Sequence, residues 1–260
     1  MKIEFISSLQ NPKIKNIVRL QEKSSERNSQ NTIVIEGARE LGLAVNAGYK
    51  INQLYICSDI GASSDTFEAK TYFDVSREVF SKIAYRENSD GYIALLEPKY
   101  TKLADLKFKN APFIIVLESV EKPGNLGAIL RTADAANIDA IIVCDPRTDI
   151  YNPNVIRSSV GCIFTVPIVL STNEETLEFF HNNNIKNYAA ALTANAFYTD
   201  VNFKESAAIV MGTEATGLSD FWLTKSDLQI KIPMLGKIDS LNVSTSTAIL
   251  TFEALRQRMV

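Results

Sequence analysis

The second half of the chain is punctuated by continuous apolar runs: FIIVLE (113–118), DAIIVC (139–144), CIFTVPIV (162–169), NYAAAL (187–192), AAIVMG (207–212) and LQIKIP (228–233). Runs of this kind mark strands buried on both faces. Helical periodicity separates most of them, at 126–136, 174–183 and 242–258. Strands alternating with helices predict an α/β domain whose parallel sheet is covered on both sides. The first half alternates as well. Asn11 is a good cap and Pro12 suits a first turn, so a helix is predicted from Pro12 with Ile14, Ile17, Val18 and Leu20 on its apolar face. TIVIEG (32–37), QLYIC (53–57), TYFDV (71–75) and GYIALLEP (91–98) predict strands. ARELGLAVNAGY (38–49) and SREVFSKIAY (76–85) predict helices, the first stopping at Gly48. The lysine-rich stretch 98–111 reads as a linker or a short connecting helix.

At 260 residues the chain is long enough for two compact units, placed at 1–106 and 107–260. Hydrophobic residues at 46% and charged residues at 22% describe an ordinary soluble globular protein. No apolar run is long enough to span a bilayer, and MKIEFISSLQNPKIK has none of the marks of a signal peptide. Cys57, Cys144 and Cys162 stand far apart in apolar contexts, which predicts buried thiols in a reducing cytoplasm.

Charge changes the picture only locally. The net charge of −3 is a poor match to an RNA partner, and the basic and acidic residues number 14 and 14 in 1–106 and 13 and 16 in 107–260. Between residues 2 and 27, however, Lys2, Lys13, Lys15, Arg19, Lys23 and Arg27 outnumber Glu4, Glu22 and Glu26. Such a stripe is usually a solvated helix face.

Three segments hold more glycine, asparagine and serine than α/β packing requires. In PGNLGAILRTADAANIDAIIV (123–143), Asn125 is placed to cap a helix whose apolar face is Leu126, Ile129, Leu130 and Ala133. Arg131 is then directed away from that face, and Asn137 stands at a left-handed stop. A capped helix with a solvated arginine explains this much; a dinucleotide site would need GxGxxG, which PGNLG lacks. In IVMGTEATGLSD (209–220) a strand enters a loop where Gly212 and Gly217 permit close backbone approach and Glu214 adds a carboxylate. An ordinary glycine turn is the competing reading. In IPMLGKIDSLNVSTSTAILTFEALRQR (232–258) the polar cluster SLNVSTST opens a helix, and capping accounts for only one or two of its side chains. His181, the lone histidine, lies among polar residues and reads as surface, and no residue cluster has metal-ligand spacing.

Taken in order, NLGAILR, GTEATGLS and IPM with SLNVS resemble the three motifs of the SpoU (TrmH-like) family of RNA 2′-O-ribose methyltransferases. SLQNPKIKNIVRL, IVIEGARELGLAV and GYIALLEP are similar to the substrate-binding domain that precedes the catalytic domain in many members, so the resemblance spans nearly the whole chain. It implies a SPOUT-type parallel sheet with a C-terminal trefoil knot, preceded by a small RNA-binding domain of ribosomal-protein-like fold, and a homodimer. It implies S-adenosylmethionine as cofactor, held at Gly212, Ile232 and Leu241. It assigns the polar catalytic site to Arg131, Asn125, Glu214, Ser240 and Asn242, and requires no metal. Arginine conflicts with the role of literal base because of its very high pKa, so Arg131 is expected to hold the target phosphate and stabilise the developing alkoxide. Lys13, Lys15 and Arg19 are expected to meet RNA phosphates. Large-subunit ribosomal RNA is the favoured substrate, in a housekeeping or a resistance role; transfer RNA, or a non-catalytic RNA-binding protein keeping the fold, are the alternatives. Thr245, Ser246 and Thr247 stand where relatives commonly carry small apolar residues, which adds polarity to a helix expected at the dimer interface.

Overall fold

The computed structural model describes residues 3–108 and 110–259, so Lys2 of the basic stripe lies outside the described residues. The first elements are β1 (Ile3–Ile6), α1 (Pro12–Glu22), α2 (Ser24–Ser29), β2 (Ile33–Glu36), α3 (Ala38–Asn46), β3 (Ile51–Ile56), β4 (Ala69–Val75), α4 (Arg77–Ile83) and β5 (Tyr92–Leu96). They are followed by β6 (Phe113–Glu118), α5 (Pro123–Ala135), β7 (Ala140–Cys144), α6 (Pro153–Ser158), β8 (Ile168–Ser171), α7 (Asn173–Asn182) and β9 (Lys186–Ala190). The chain ends with β10 (Ala196–Phe197), β11 (Ala207–Met211), α8 (Asp220–Lys225), β12 (Leu228–Lys231) and α9 (Val243–Arg258). Contacts divide it into two units: the chain up to Lys99 with Tyr151–Thr165, and Tyr100–Ile150 with the chain from Val166 onward.

The first unit is built on a mixed sheet of order β1-β4-β3-β5-β2, in which β1 and β3 run parallel to β4 and β5 runs antiparallel to β3 and β2. α1 begins where Asn11 Oδ1 accepts from the Lys13 backbone N–H at 2.9 Å. Its residues Ile14, Ile17 and Leu20 join Val79, Phe80 and Ile83 of α4 in covering Tyr55, Phe73, Ile93 and Leu95 of the sheet. Each such side chain contributes about 1.5–3 kcal/mol when fully buried, so this face alone justifies the amphipathic spacing. Residues 151–165 belong to the same unit although they follow β7. There the Tyr49 and Tyr151 hydroxyls lie 2.7 Å apart, and Gly161 (φ +84°) passes so close to Leu43 that a Cβ would sit 2.8 Å from its Cδ1.

The second unit is a seven-stranded sheet of order β10-β12-β9-β11-β6-β7-β8, parallel throughout. β6, β7 and β11 are buried at every position, as their unbroken apolar sequences require. The chain steps outward from β6 through β7 and β8, then resumes on the other side, with β11 returning to lie beside β6. Neighbouring strands whose connections leave in opposite directions open a crevice at their C-terminal ends. The loops after β6 and β11 meet there.

Several local expectations are corrected. CIFTVPIV is not one strand: Cys162–Phe164 form a 3₁₀ turn, and β8 starts only at Ile168 because Pro167 has no N–H to give the ladder. Asn125 does not cap α5, which begins two residues earlier at Pro123 with Lys122 in the cap position. β1 escapes the sequence pattern because it is an edge strand in which only Ile6 is buried. α2 escapes because it is polar throughout; Arg27, its one buried side chain, donates to the Leu20 carbonyl at 2.6 Å and is thereby removed from the basic stripe. Leu126, Ile129, Leu130 and Ala133 are buried and Asn137 has φ +50°, as the α5 pattern predicts. His181 is exposed, and Cys57 and Cys144 are buried free thiols while Cys162 is half-buried. Among the described residues no helix is long and apolar enough to cross a membrane.

Candidate active site

The crevice beside β6 and β11 gathers the polar motif residues. Glu214, in the loop after β11, accepts from Asn125 Nδ2 at 2.6 Å and from Asn242 Nδ2 at 2.5 Å, both on Oε1. Its other oxygen, Oε2, accepts from Lys122 Nζ at 2.5 Å. Each asparagine arrives by a separate route. Asn125 is on the first turn of α5, immediately after the β6 loop. Asn242 is the cap of α9, where its Oδ1 accepts from the Ser244 N–H at 2.9 Å and from Ser244 Oγ at 2.6 Å. That leaves its amide nitrogen turned to Glu214, so one side chain both starts a helix and completes the site. The Lys122 hydrogen bond, reinforced by those from Asn125 and the Val243 N–H, holds Glu214 below the usual carboxylate range. The same contact raises Lys122 above the usual lysine value.

Beneath this cluster the Gly212–Leu218 loop is folded back on itself. Thr213 and Gly217 exchange two backbone hydrogen bonds of 3.0 Å, and a Cβ at Gly212 would lie 2.2 Å from the Gly217 carbonyl carbon. No side chain fits there, which is why the position is glycine. The loop's far end is pinned by Glu118 at the end of β6, a buried carboxylate that accepts from the Ser219 N–H at 2.8 Å, Ser219 Oγ at 2.6 Å and Asn173 Nδ2 at 2.8 Å. Asn173 in turn accepts from the buried Trp222 indole at 2.6 Å. A fully satisfied buried network of this kind is rigid.

Two cavities share the Gly212–Ala215 wall. The larger, about 450 Å³, is lined by residues 190–193, 211–218, 230–232, 234 and 239–241, with Leu223 of α8 and Val243, Ser246 and Leu250 of α9. Gly212, Ile232, Leu241, Ser240 and Glu214 all face it, so Ser240 stands with the three residues expected to hold cofactor. The smaller, about 310 Å³, is lined by Val120, Glu121, Lys122, Asn125, Gly212–Ala215 and Val243. Arg131 lines neither cavity. It is exposed on α5, six residues beyond Asn125, roughly 9 Å along the axis and about 240° around it.

Lys13, Lys15 and Arg19 lie on α1 of the first unit; Lys15 and Arg19 are exposed, while Lys13 pairs with Glu4 at 3.1 Å. Two features escaped the sequence reading. Lys122 precedes the motif proline with nothing to single it out. The 190–193 loop follows the C-terminal end of β9, a place that collects ligands in parallel sheets, but only the strand order puts β9 beside β11.

Residues 112–252 match the SpoU rRNA Methylase family, and residues 11–94 match the MRM3-like substrate binding domain. The chain belongs to the SpoU family. It is 30% identical over 247 residues to the 23S rRNA (guanosine(2553)-2′-O)-methyltransferase RlmP of Bacillus subtilis strain 168, covering 95% of this chain and 97% of that protein. A solved RNA 2′-O ribose methyltransferase superposes with a TM-score of 0.85 at 37% identity, covering 98% of this SpoU chain and all (100%) of the other. An AdoMet-bound rRNA methyltransferase from Sinorhizobium meliloti gives a TM-score of 0.88 at 28% identity, covering 98% of each chain.

Proposed function

We infer that this SpoU protein methylates a ribose 2′-hydroxyl of ribosomal RNA with S-adenosylmethionine as the methyl donor. The observation that carries the reading is the pair of adjoining cavities at the β6/β11 crevice, with Glu214, bonded by Asn125 and Asn242, on their shared wall. A two-substrate transfer needs two such volumes meeting at one polar point.

The larger cavity fits the cofactor. Its volume of about 450 Å³ is in the range of small-molecule sites. Ala190, Leu192, Met211, Leu218, Ile230, Ile232 and Leu250 supply apolar walls, and the backbone near Gly212 and Leu241 supplies close polar contact without charge. When bound there, S-adenosylmethionine supplies a methyl group on a sulfonium, a strong electrophile. The residues of the chain must therefore orient the hydroxyl and manage its proton. Glu214 is ionised and saturated with three side-chain donors, which suits a scaffold that aims Asn125 and Asn242 better than a proton acceptor. Arg131 is assigned to the target phosphate and the developing alkoxide, approached through the bound RNA or from a second protomer, since it is outside both cavities.

Residues 1–106 are assigned to RNA binding and 107–260 to catalysis, in keeping with the two family matches. A trefoil knot is proposed for the 190–241 region, supported by the three loops that line one cavity and by the contact of Gly212 with Gly217. A homodimer through α9 is supported by Phe252, 48% exposed, with Ile249 and Leu255 partly exposed at the neighbouring helical positions. On the same helix the polar insertion is accommodated: Thr247 is buried with its hydroxyl on the Val243 carbonyl at 2.7 Å, and Ser246 lines the cavity. The buried thiols of Cys57 and Cys144 support a cytoplasmic setting.

Labelled S-adenosylmethionine, offered with deproteinised ribosomal RNA or with transfer RNA, tests the substrate assignment. Transfer to ribosomal RNA is expected; transfer to transfer RNA alone overturns it. For α1, reversing the charge at Lys13, Lys15 and Arg19 together is expected to weaken RNA binding and to lower the salt slope by about 2–3. Lys15 and Arg19 should carry most of this, because Lys13 is already paired with Glu4. A binding titration at several salt concentrations that returns wild-type values would remove α1 from the RNA surface.

A further inference from the structure

The Lys122–Glu214 pair sits on the wall of the smaller cavity, with side chains 71% and 24% exposed. An ion pair so open to water adds little to folding stability. Its position suggests a different use. Asn125 and Asn242 both bond Oε1 of Glu214, and among the described residues Lys122 is the side-chain donor on Oε2, so it fixes the rotation of the carboxylate from the opposite side. The cavity also contains Glu121, whose carboxylate is taken up by Arg147 at 2.5 Å. Without Lys122 the acceptor side would present an uncompensated carboxylate to a polyanionic strand.

We propose that Lys122 is a positioning residue for the acceptor: it clamps Glu214 in the orientation that gathers Asn125 and Asn242, and it cancels the charge an incoming RNA would meet. The second part rests on the RNA methyltransferase reading; the first does not. Because Lys122 lowers the Glu214 pKa, the clamp is complete above the ordinary carboxylate range and is lost only as pH falls through the lowered value.

The test compares Lys122→Met, Lys122→Arg and the double variant Lys122→Met/Glu214→Gln. Carbon-13 NMR of the Glu214 carboxyl, recorded on protein without RNA, should show its titration moving up toward the ordinary range in Lys122→Met and staying low in Lys122→Arg. RNA affinity should fall by about tenfold in Lys122→Met, stay within about twofold in Lys122→Arg, and recover in the double variant, where no carboxylate remains to repel the strand. Cofactor affinity should be unchanged in Lys122→Met and Lys122→Arg, because Lys122 lines only the smaller cavity. An unmoved Glu214 titration overturns the clamp. Unchanged RNA affinity, or parallel losses of RNA and cofactor binding, overturns the charge role in favour of a merely structural one. Should the wild-type protein bind and methylate no RNA, the substrate reading and the charge role fall together, and the NMR titration still decides the clamp.

Discussion

Arg131→Ala is expected to lower the rate of methyl transfer by about 10²–10³-fold while leaving cofactor affinity unchanged. The side chain is exposed on α5, opposite the buried face formed by Leu126, Ile129, Leu130 and Ala133, so its removal disturbs no packing. It also lines neither cavity, so the cofactor should not register the loss. Arg131→Lys separates two versions of the role. Lysine keeps the charge but has no planar fork, so a bidentate hold on a phosphate predicts that Arg131→Lys stays close to the alanine variant. Single-turnover rates with cofactor binding measured in parallel check both. A fully active lysine variant rejects the bidentate hold, and a fully active alanine variant rejects any part for Arg131 in the reaction.

Gly212→Ala is expected to reduce cofactor affinity at least about a hundredfold, because the added methyl collides with main chain and not with a movable side chain. The Cβ would lie 2.2, 2.3 and 2.4 Å from Gly217 C, Gly217 O and Leu218 N. The loop cannot give way easily: Thr213 and Gly217 are paired through two backbone bonds, and Ser219 is tied to buried Glu118. Gly217→Ala is the internal control. Gly217 has φ +70° with open space around it, so alanine there incurs only left-handed strain, about 1–2 kcal/mol, and should leave a weakened but working site. Calorimetric titration with S-adenosylmethionine and thermal melts on both variants distinguish these outcomes. Near-normal binding by Gly212→Ala would mean that the 212–218 loop is not the cofactor wall.

The strands of the catalytic half were legible because burial on both faces leaves an unambiguous record: FIIVLE is β6 residue for residue. The α1 cap and the α5 apolar face were legible for the same local reason. What is not local was hidden. Asn125 lies 89 residues from Glu214 and 117 from Asn242, and nothing in their spacing brings them together. Their meeting depends on β11 lying beside β6, a fact of strand order, and it was reached in advance only through family resemblance. Asn125 was misread as a cap because asparagine after proline and glycine satisfies capping rules equally well; its amide goes to Glu214 instead. Lys122 was missed because a lysine before proline carries no pattern. Arg27 was counted with the surface because charge counts ignore burial, yet it is only 3% exposed.

The central claim is that the two cavities serve transfer to a ribose hydroxyl, and the chemical position of the methyl group tests it most directly. Ribosomal RNA labelled by the protein and S-adenosylmethionine is hydrolysed in alkali, which cleaves every linkage except those following a 2′-O-methylated ribose. The account predicts label in an alkali-resistant dinucleotide, lost with Arg131→Ala. Label released entirely as mononucleotides would place the methyl group on a base and contradict it.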